Sequence, residues 1–426
     1  MIVLHRDKLL SSCLRAAYGV CGMLLLGVNA AYAFVGLDPA YSGVDYGSQP
    51  SAARGLDVGE GGGVVLYPAI GIGATYDDNI YRENEDASSA MIYTLLPVIE
   101  ARKNWGASSF LAGYKGNYGR YSGGPNDDLD SFTDHNAYLG AAFKQRKTGG
   151  NITADYTRGH TPKGANNSEE KDTWDQYSVL GWLDFGAQDA RFRLRLTGLG
   201  KNREYDLNEA IDLKNTGVGA VFGVRVASKT RLVLDGGITR YDYENSNNDG
   251  DRSYLRAGVS WAATGKTTGI FTYGYQKYKA DNPGEEIDSD VPGTAVGTVQ
   301  DSDTTSWRGE IVWSATTKDI VNFDTSRNTV VSYGIGTNRN STRTRINWGH
   351  SWTEKVGSSI GYTFGDDEYI GFDRDDDIQL LDIGLSYKPG DNHTIRGGYY
   401  YENRDSNIDF ENYRRNRVTL LYGYEF

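Results

Sequence analysis

Alternation of apolar and polar residues with a period of two recurs along most of the chain from Val64 onward. Each alternating segment is roughly a dozen residues long and is bounded by a turn or a polar loop. Such alternation is typical of a β-strand with one apolar and one polar face. The pattern therefore predicts an all-β protein with many strands, and the connections between the strands indicate their arrangement.

Short turns alternate with long polar loops along this region. Roughly eight short turns and nine long loops predict about 18 antiparallel strands, with both ends of the array on the short-turn side. Outer-membrane barrels have short periplasmic turns and long extracellular loops. We therefore predict a single closed transmembrane β-barrel over residues 64–426. One of the long loops is predicted over Arg327–Asn338, and the uncertain register near Thr316–Asn338 leaves 16 strands as an alternative.

The last alternating segment carries an aromatic face. Its apolar face consists of Val418, Leu420, Tyr422, Tyr424 and Phe426. Lipid contact on this face and a wet interior on the other would match the dyad repeat of membrane barrels. Tyr422, Tyr424 and the terminal Phe426 also resemble the signal that the barrel-assembly machinery reads. We expect the protein in the outer membrane of a Gram-negative bacterium, surrounded by lipid and lipopolysaccharide.

The first residues have the pattern of a secretory signal. Basic residues precede an apolar stretch from about Tyr18 to Val28, and Ala31 and Ala33 offer a signal-peptidase site. We predict a signal peptide over residues 1–33, which would remove Cys13 and Cys21. The following residues 34–63 are rich in Gly, Ser, Ala and Pro, and predict a flexible periplasmic segment.

Composition narrows the class of protein further. The 426 residues include 54 Gly and 31 Tyr, and only 38% are hydrophobic. After the predicted signal, no apolar run reaches the roughly 18 to 20 residues that a membrane helix needs. The net charge of −12 makes nucleic acid an unsuitable partner. Membrane crossing therefore has to rely on strands.

Charged residues on the polar face predict the lining of the barrel interior. Arg191, Arg193 and Arg195 alternate with apolar residues, and an Arg on the lipid face would cost roughly 2 to 4 kcal/mol at the bilayer midplane. We expect Asp235, Glu310, Asp382 and Glu402 to be partners of the inward arginines. The candidate lining residues are Arg191, Arg193, Arg195, Asp235, Glu310, Arg343, Arg345, Asp382, Arg396, Glu402 and Arg417. Structural ion pairing and a substrate-selective ring both remain open for them.

The sequence offers little catalytic chemistry. The histidines after the predicted signal are isolated, and no P-loop, zinc-protease helix or nucleophile elbow occurs. Because these motifs are missing, we predict no enzyme and no cofactor. A hydrolase site at Asp134 and His135 on the barrel rim is the alternative. The loops are acidic, notably Asp281–Asp303 and the run Asp375–Asp377. Calcium binding at Asn245–Asp251 is an alternative to a plain solvated loop.

Short motifs carry a resemblance to a known family. Tyr76-Asp77-Asp78-Asn79 in the first strand, Asn403–Asn407 and Tyr413–Val418 resemble motifs of the putative β-barrel porin 2 family, in order and spacing, along the chain after the signal. The resemblance implies an outer-membrane protein that accompanies capsule or exopolysaccharide assembly genes. It also implies a periplasmic polysaccharide-export protein as a partner. Asp77 and Asp78 would brace the external rim.

Three functions follow as hypotheses. The first is an outer-membrane channel that exports a capsular or exopolysaccharide, with the polysaccharide as substrate and a wet, weakly binding lumen. The second is a general or solute-specific diffusion porin. The third is a structural or adhesive barrel whose loops contact polymer or neighbouring cells. Secreted polymer in a deletion strain would discriminate the first from the other two.

Overall fold

A computed structural model describes residues 55–58, 63–164, 170–187, 189–262, 266–286, 297–331 and 338–426. The predicted signal peptide lies outside these ranges, as does most of the segment predicted to be flexible. Within that segment, however, Leu56–Val58 form a short strand, β1, that pairs antiparallel with Val64–Leu66. Leu56–Val58 are therefore ordered by backbone pairing with the first long strand, which their composition did not indicate.

The wall of the fold consists of long strands joined in sequence order. Within the described residues they are β2 (Val64–Asp77), β3 (Ala90–Trp105), β4 (Ser108–Ser122), β5 (Phe132–Lys144), β6 (Thr148–Thr161), β7 (Asp172–Phe185), β8 (Phe192–Tyr205), β9 (Leu213–Ala227), β10 (Thr230–Tyr243), β11 (Gly250–Trp261), β12 (Thr267–Ala280), β13 (Ser302–Trp313), β14 (Asp319–Val331), β15 (Asn338–Ser351), β16 (Val356–Tyr369), β17 (Asp375–Gly390), β18 (His393–Ser406) and β19 (Tyr413–Glu425). Each pairs antiparallel with the next.

The sheet closes on itself. Strand β19 pairs with β2 over a register that runs from Arg417 opposite Asp77 to Glu425 opposite Ala69. The described strands β2 to β19 thus form a closed barrel of 18 strands, which confirms the predicted fold and excludes 16 strands. A helical turn α1 (Asp127–Asp130) and two 3-10 turns, Glu209–Ile211 and Asp409–Glu411, lie in long loops. No helix in the described ranges is long and apolar enough to span a membrane.

Two predicted loops are shorter than the sequence pattern indicated. The loop predicted over Arg327–Asn338 is wrong in its bounds, because β14 continues to Val331 and pairs there with Asn338 of β15. The acidic run Asp375–Asp377 begins β17 rather than forming a loop. The first stretch places the apolar neighbours Val330 and Val331 after three polar residues, and the second has three consecutive acidic residues. Neither shows the alternation by which a half-buried strand is recognised.

Alternation along each strand separates an outward face from an inward face. In β10, Leu232, Leu234 and Ile238 are 52%, 48% and 56% exposed, whereas Asp235 and Thr239 are 4% and 1% exposed. Large apolar side chains that are exposed on a closed barrel are suited to lipid contact. The intervening polar residues therefore face the interior, which is where a candidate functional site has to be sought.

The family motif lies at the seam where the barrel closes. The Asp77 carboxylate accepts hydrogen bonds from the guanidinium of Arg415 on β19, and both side chains are buried. Asp78 accepts hydrogen bonds from the backbone N–H and the Nδ2 of Asn416, at 2.6 and 2.7 Å. Asn79 Nδ2 donates to the carbonyl of Arg414. These side chains join the first and last wall strands beside the backbone ladder.

We expect Asp77→Asn to weaken the closed barrel strongly. The substitution leaves the buried Arg415 guanidinium without its hydrogen-bonded carboxylate, with Glu402 at 3.9 Å as the remaining counter-ion. Breaking a buried pair costs about 3 to 5 kcal/mol. The fraction of protein that keeps the compact, unheated mobility in detergent gel electrophoresis would measure the loss across a urea series. Asp128→Asn, at an exposed position of α1, is the control. Equal urea midpoints for the two variants would contradict a role of the pair in closure.

Candidate functional site: the inward face of the barrel

Arg193 and Arg195 lie on the inward face of β8 and share one carboxylate. Asp184 of β7 stands opposite Arg195 in the ladder and accepts hydrogen bonds from its Nε and Nη2 at 2.7 and 2.8 Å. Arg193 Nη2 lies 3.5 Å from the same carboxylate. Trp182, on the same face, packs 4.6 Å from the Arg195 guanidinium. The carboxylate that pairs with these arginines is therefore Asp184, which the sequence prediction did not include.

A cluster of arginines surrounds this pair at the short-turn end of the barrel. We call Arg191, Arg193, Arg195, Arg225 and Arg231 the basic cluster. Arg225 and Arg231 stand opposite each other in the β9–β10 ladder, and Arg231 Nη2 donates to the carbonyl of Ala190 at 2.9 Å. Arg193 and Arg225 act on Arg231 as neighbouring like charges. Counting Asp184 and the exposed turn residue Asp189, the five guanidinium groups still exceed the two carboxylates.

The predicted arginines of β15 pair with two carboxylates of different exposure. Asp367 of β16 lies 2.7 Å from Arg343 Nη2 and 3.3 Å from Arg339 Nε, and its side chain is 1% exposed. Arg345 Nη2 lies 3.4 Å from Asp382, whose side chain is 33% exposed. The expected pairing with Asp382 is thus present. Asp367 was missed, because its strand end is acidic on both faces.

Asp235 and Glu310 are inward residues, but their partners differ from those expected. Arg256 stands opposite Asp235 in the β10–β11 ladder, and its Nη2 lies 2.7 Å from that carboxylate. Glu310 pairs with Arg308, two positions before it on the same face of β13, at 2.6 Å. The prediction that these carboxylates serve the arginines of β8 and β15 is wrong, because the strand register brings nearer cations to them.

Glu402 belongs to the seam rather than to the expected arginines. It lies 3.9 Å from Arg415 and 3.9 Å from Arg82, and it accepts a hydrogen bond from the hydroxyl of Tyr413 at 2.6 Å. The Glu402 side chain is 3% exposed. A carboxylate at this depth stabilises the closed barrel through two cations, so it acts as a brace and does not present a free charge to the interior.

Arg396 and Arg417 are the remaining predicted lining residues. Arg417 stacks its guanidinium 4.2 Å from the ring of Tyr400, which faces it across the β18–β19 ladder. Arg396 faces inward opposite Ser386 and Leu421 and is partly exposed. Both therefore contribute positive charge to the inward face. Arg417 lies at the long-loop end of the β19–β2 ladder, and Arg396 lies nearer the short turns.

The aromatic residues near the end of the chain point outward. Phe426 is 52% exposed, and its ring meets that of Tyr424 edge to face at 4.8 Å. Its backbone N–H donates to the carbonyl of Pro68 at 3.0 Å, beside the β19–β2 ladder. Tyr422 shares a 2.8 Å hydrogen bond with His393. The face is open to lipid, and recognition by an assembly machinery stays a prediction.

The hydrolase alternative at Asp134 and His135 has no geometric basis. The two neighbours of β5 point to opposite faces, so they cannot form a dyad. Asp134 pairs with His160 Nδ1 at 2.8 Å, and His135 Nδ1 lies 2.6 Å from the hydroxyl of Tyr114. We find no Ser or Cys hydroxyl or thiol within hydrogen-bonding distance of either pair in the described ranges.

In the acidic outer loops, several carboxylates form ion pairs with one arginine, Arg240. Arg240 lies 2.6 Å from Asp242 and 2.6 Å from Asp281, and 3.8 Å from Asp251. These hydrogen bonds lower the pKa of Asp281. Asp249 accepts the N–H of Tyr243 at 2.6 Å instead of joining a metal site. Across the described ranges, no group of three or more His, Cys, Asp or Glu residues could hold a metal ion.

A segment around Val299 packs against the inward face in the long-loop half of the barrel and narrows the interior there. Val299, just before β13, is 1% exposed and packs with the inward residues Leu213, Tyr241, Tyr243 and Tyr278. Its N–H donates to the carbonyl of Glu285 at 2.9 Å. An apolar cluster buried inside a barrel reduces the free cross-section. The sequence pattern did not indicate this cluster, because Val299 is a single apolar residue within the predicted acidic loop.

The model of one protein family, described as putative beta-barrel porin 2, matches residues 49–422. The chain belongs to this family. The match covers strands from β1 to all but the last residues of β19, and it confirms the resemblance carried by the motifs at the seam. It brings no association with capsule assembly to this porin-family chain. Members of the family are barrels, and the closed 18-stranded fold agrees with that description.

Solved porin structures have a related fold at low sequence identity. Pseudomonas aeruginosa OpdK, crystallised with vanillate, is 9% identical with a TM-score of 0.47. A BenF-like porin from Pseudomonas fluorescens Pf-5 is 10% identical with a TM-score of 0.47, and Acinetobacter baumannii OccAB3 is 9% identical with a TM-score of 0.44. Each alignment covers 85% of this chain and 99% of the other. No curated protein matches the chain. The likeness carries no functional inference.

We expect Asp367→Asn to destabilise the barrel far more than Asp382→Asn. The first substitution leaves two arginines facing a neutral buried amide, a loss of about 3 to 5 kcal/mol. The second removes a pair that is one-third exposed, which is worth less than about 1 kcal/mol. Urea unfolding in lipid vesicles, followed by tryptophan fluorescence, would compare them. Indistinguishable midpoints would show that burial does not set the strength of these pairs.

Proposed function

We propose that this protein is a diffusion porin of the Gram-negative outer membrane that passes small anionic solutes. The supporting observation is the basic cluster, in which four inward arginines of β8 to β10 lie together with Arg191, just before β8, at the short-turn end. Two of them share Asp184. In porin barrels this end faces the periplasm. The cluster would therefore meet a solute at the inner mouth of the channel.

Guanidinium groups suit carboxylate and phosphate ligands. Their planar donors form paired hydrogen bonds with two oxygens of one anion, as Arg195 does with Asp184. Arg225 faces the same region from β9, opposite Arg231. Several neighbouring sites of modest strength would let an anion enter and leave, which conduction requires. The solutes best matched are small carboxylates and phosphates.

The acidic loops at the other end do not cancel this field. Arg231 and Asp242 are 11 positions apart on β10, so the acidic loop residue lies roughly 35 Å along the strand from Arg231. Fields between exposed charges decay over about 8 Å at physiological ionic strength. Arg240 also neutralises part of the loop charge through Asp242 and Asp281. The selectivity of the inner mouth is therefore set locally.

Diffusion of small solutes has better support than polysaccharide export, the leading hypothesis from the sequence. The buried segment around Val299 narrows the long-loop half of the interior, which favours a small solute over a polymer chain. The family description is that of a porin. No described feature favours the structural or adhesive alternative. Secreted polysaccharide should therefore be unchanged in a deletion strain, and a loss that the intact gene restores would favour export.

We expect the purified protein to prefer anions over cations in planar lipid bilayers. Under a potassium chloride gradient, the reversal potential should have the sign of chloride selectivity. Arg193→Gln with Arg195→Gln should lower the chloride-to-potassium permeability ratio several-fold, because Asp184 is then left without its two cations. Asp184→Asn should raise that ratio, because it removes the carboxylate and leaves both guanidinium groups.

Charge-preserving variants provide the control for this measurement. Arg193→Lys with Arg195→Lys keeps both positive charges on the inward face and should retain anion preference. Arg414→Gln removes an exposed outward arginine and should change nothing. A cation-selective wild-type channel, or equal permeability ratios in the Gln and Lys variants, would refute the proposed role of the cluster.

A further inference from the structure

The barrel wall separates between two neighbouring strands in its long-loop half. The β13–β14 ladder runs from Trp313 opposite Val321 to Trp307 opposite Arg327 and goes no further within the described residues. Both strands continue beyond that point. Residues 302–306 of β13 remain paired with β12, and residues 328–331 of β14 remain paired with β15. The separation thus affects one ladder while its neighbours are intact.

The outer part of β14 lies inside the barrel instead of in the wall. We call residues 328–331 the overlap segment. Thr329 Oγ1 accepts a hydrogen bond from Gln276 Nε2 at 2.7 Å, and the Thr329 carbonyl accepts one from Arg252 Nη1 at 2.7 Å. Asn328 Oδ1 accepts from Arg256 Nη1 at 3.2 Å. These partners are inward residues of β11 and β12, so the sheet overlaps itself here.

The overlap is held mainly by polar side chains. Thr329 is 2% exposed, although its position in the alternation would place it on the outward face. Two atoms of its arginine neighbours, Arg252 Nε and Arg256 Nε, are buried and have no hydrogen-bond partner among the described residues. Buried polar groups are usually satisfied, and each one left unpaired makes a packing arrangement less favourable. The contacts that hold the segment inside are therefore incompletely matched.

A second position for the segment is already encoded in the register. Extension of the ladder beyond Trp307 and Arg327 without a bulge would set Asn328 opposite Ser306 and Thr329 opposite Thr305. Both threonines would then face outward. Ser306 Oγ already donates to Asn328 Oδ1 at 3.2 Å, so the first of these pairs is close to formation. Backbone hydrogen bonds would replace the side-chain contacts of the overlap.

We propose that the overlap segment is a gate that exchanges between these two positions. In the inward position it narrows the long-loop half of the channel together with the segment around Val299. In the wall position it completes the β13–β14 ladder and widens the passage. The gating role rests on the proposed channel function, whereas movement of the segment does not.

A pair of cysteines at Thr305 and Thr329 tests the wall position. Directly opposed residues of an antiparallel ladder have Cα atoms about 4.5 to 5.5 Å apart, within the range that a disulfide bridges. In the inward position β13 separates the two side chains. Thr305→Cys with Thr329→Cys, in a chain carrying Cys13→Ser and Cys21→Ser, should form a disulfide over time under mild oxidation. Its single-channel conductance should rise several-fold and return on reduction.

Ile311→Cys with Phe323→Cys is the matched control, because these residues already face each other in the existing ladder. This pair should oxidise at once without a change in conductance. Gln276→Ala provides a measurement without cysteines. It removes the donor to Thr329 and should increase the fraction of time that the channel spends in the wide state. Compact mobility in unheated gels would show that each variant is assembled.

The outcomes separate movement from function. If the control pair oxidises fully but the Thr305 and Thr329 pair does not, the segment does not join the wall and the proposal is overturned. A complete disulfide with unchanged conductance would overturn the gating role, and so would an unchanged conductance of Gln276→Ala. If no variant and no wild-type protein conducts, the proposed function fails, and the rate of disulfide formation still reports whether the segment moves.

Discussion

The pairing of backbone polar groups is the constraint on which this structure depends. A strand within lipid cannot leave its N–H and C=O groups unpaired, so a sheet that spans a membrane must close. Closure here joins the first and last wall strands through the β19–β2 ladder and through the ion pair of Asp77 with Arg415, which are 338 positions apart in sequence. The Asp77 motif in the first wall strand therefore serves the closure that makes the barrel possible.

The charged interior divides into two kinds of site. In the long-loop half, Asp367, Glu402 and the seam pairs are buried and surrounded by their counter-ions, so they brace a wide barrel. At the short-turn end, the basic cluster has more cations than carboxylates and is partly exposed. Structural ion pairing and solute selectivity were left as alternatives by the sequence. The first thus fits the long-loop half of the wall, and the second fits its short-turn end.

The same backbone constraint accounts for where the wall separates. Outward residues beyond Trp307 on β12 and β13 include Lys277 and Asp303, which pair at 3.6 Å and are mostly exposed. Charged residues on the outward face place this level near or above the membrane boundary, where water can satisfy backbone groups. An unpaired stretch of ladder is therefore tolerated there, and the chain is free to use a second arrangement.

The sequence by itself determined the all-β barrel and the face on which Arg193, Arg195, Arg343 and Arg345 lie, and it predicted about 18 strands with 16 left open. Period-two alternation is a local property, and the large cost of a charge in lipid makes the assignment of faces nearly independent of tertiary detail. The lengths of the connections, also local, ordered the strands. Predictions weakened where the alternation is lost, as in residues 327–331 and in Asp375–Asp377.

Only the tertiary structure decided which charges meet and where the chain enters the barrel. Asp184 serves Arg195, and Arg256 serves Asp235, because the register of neighbouring strands sets these distances. The overlap of Thr329 with Gln276 joins residues of strands that are not neighbours in the wall. Contacts of this kind depend on the closed curvature of the whole sheet, which no local pattern in the sequence specifies.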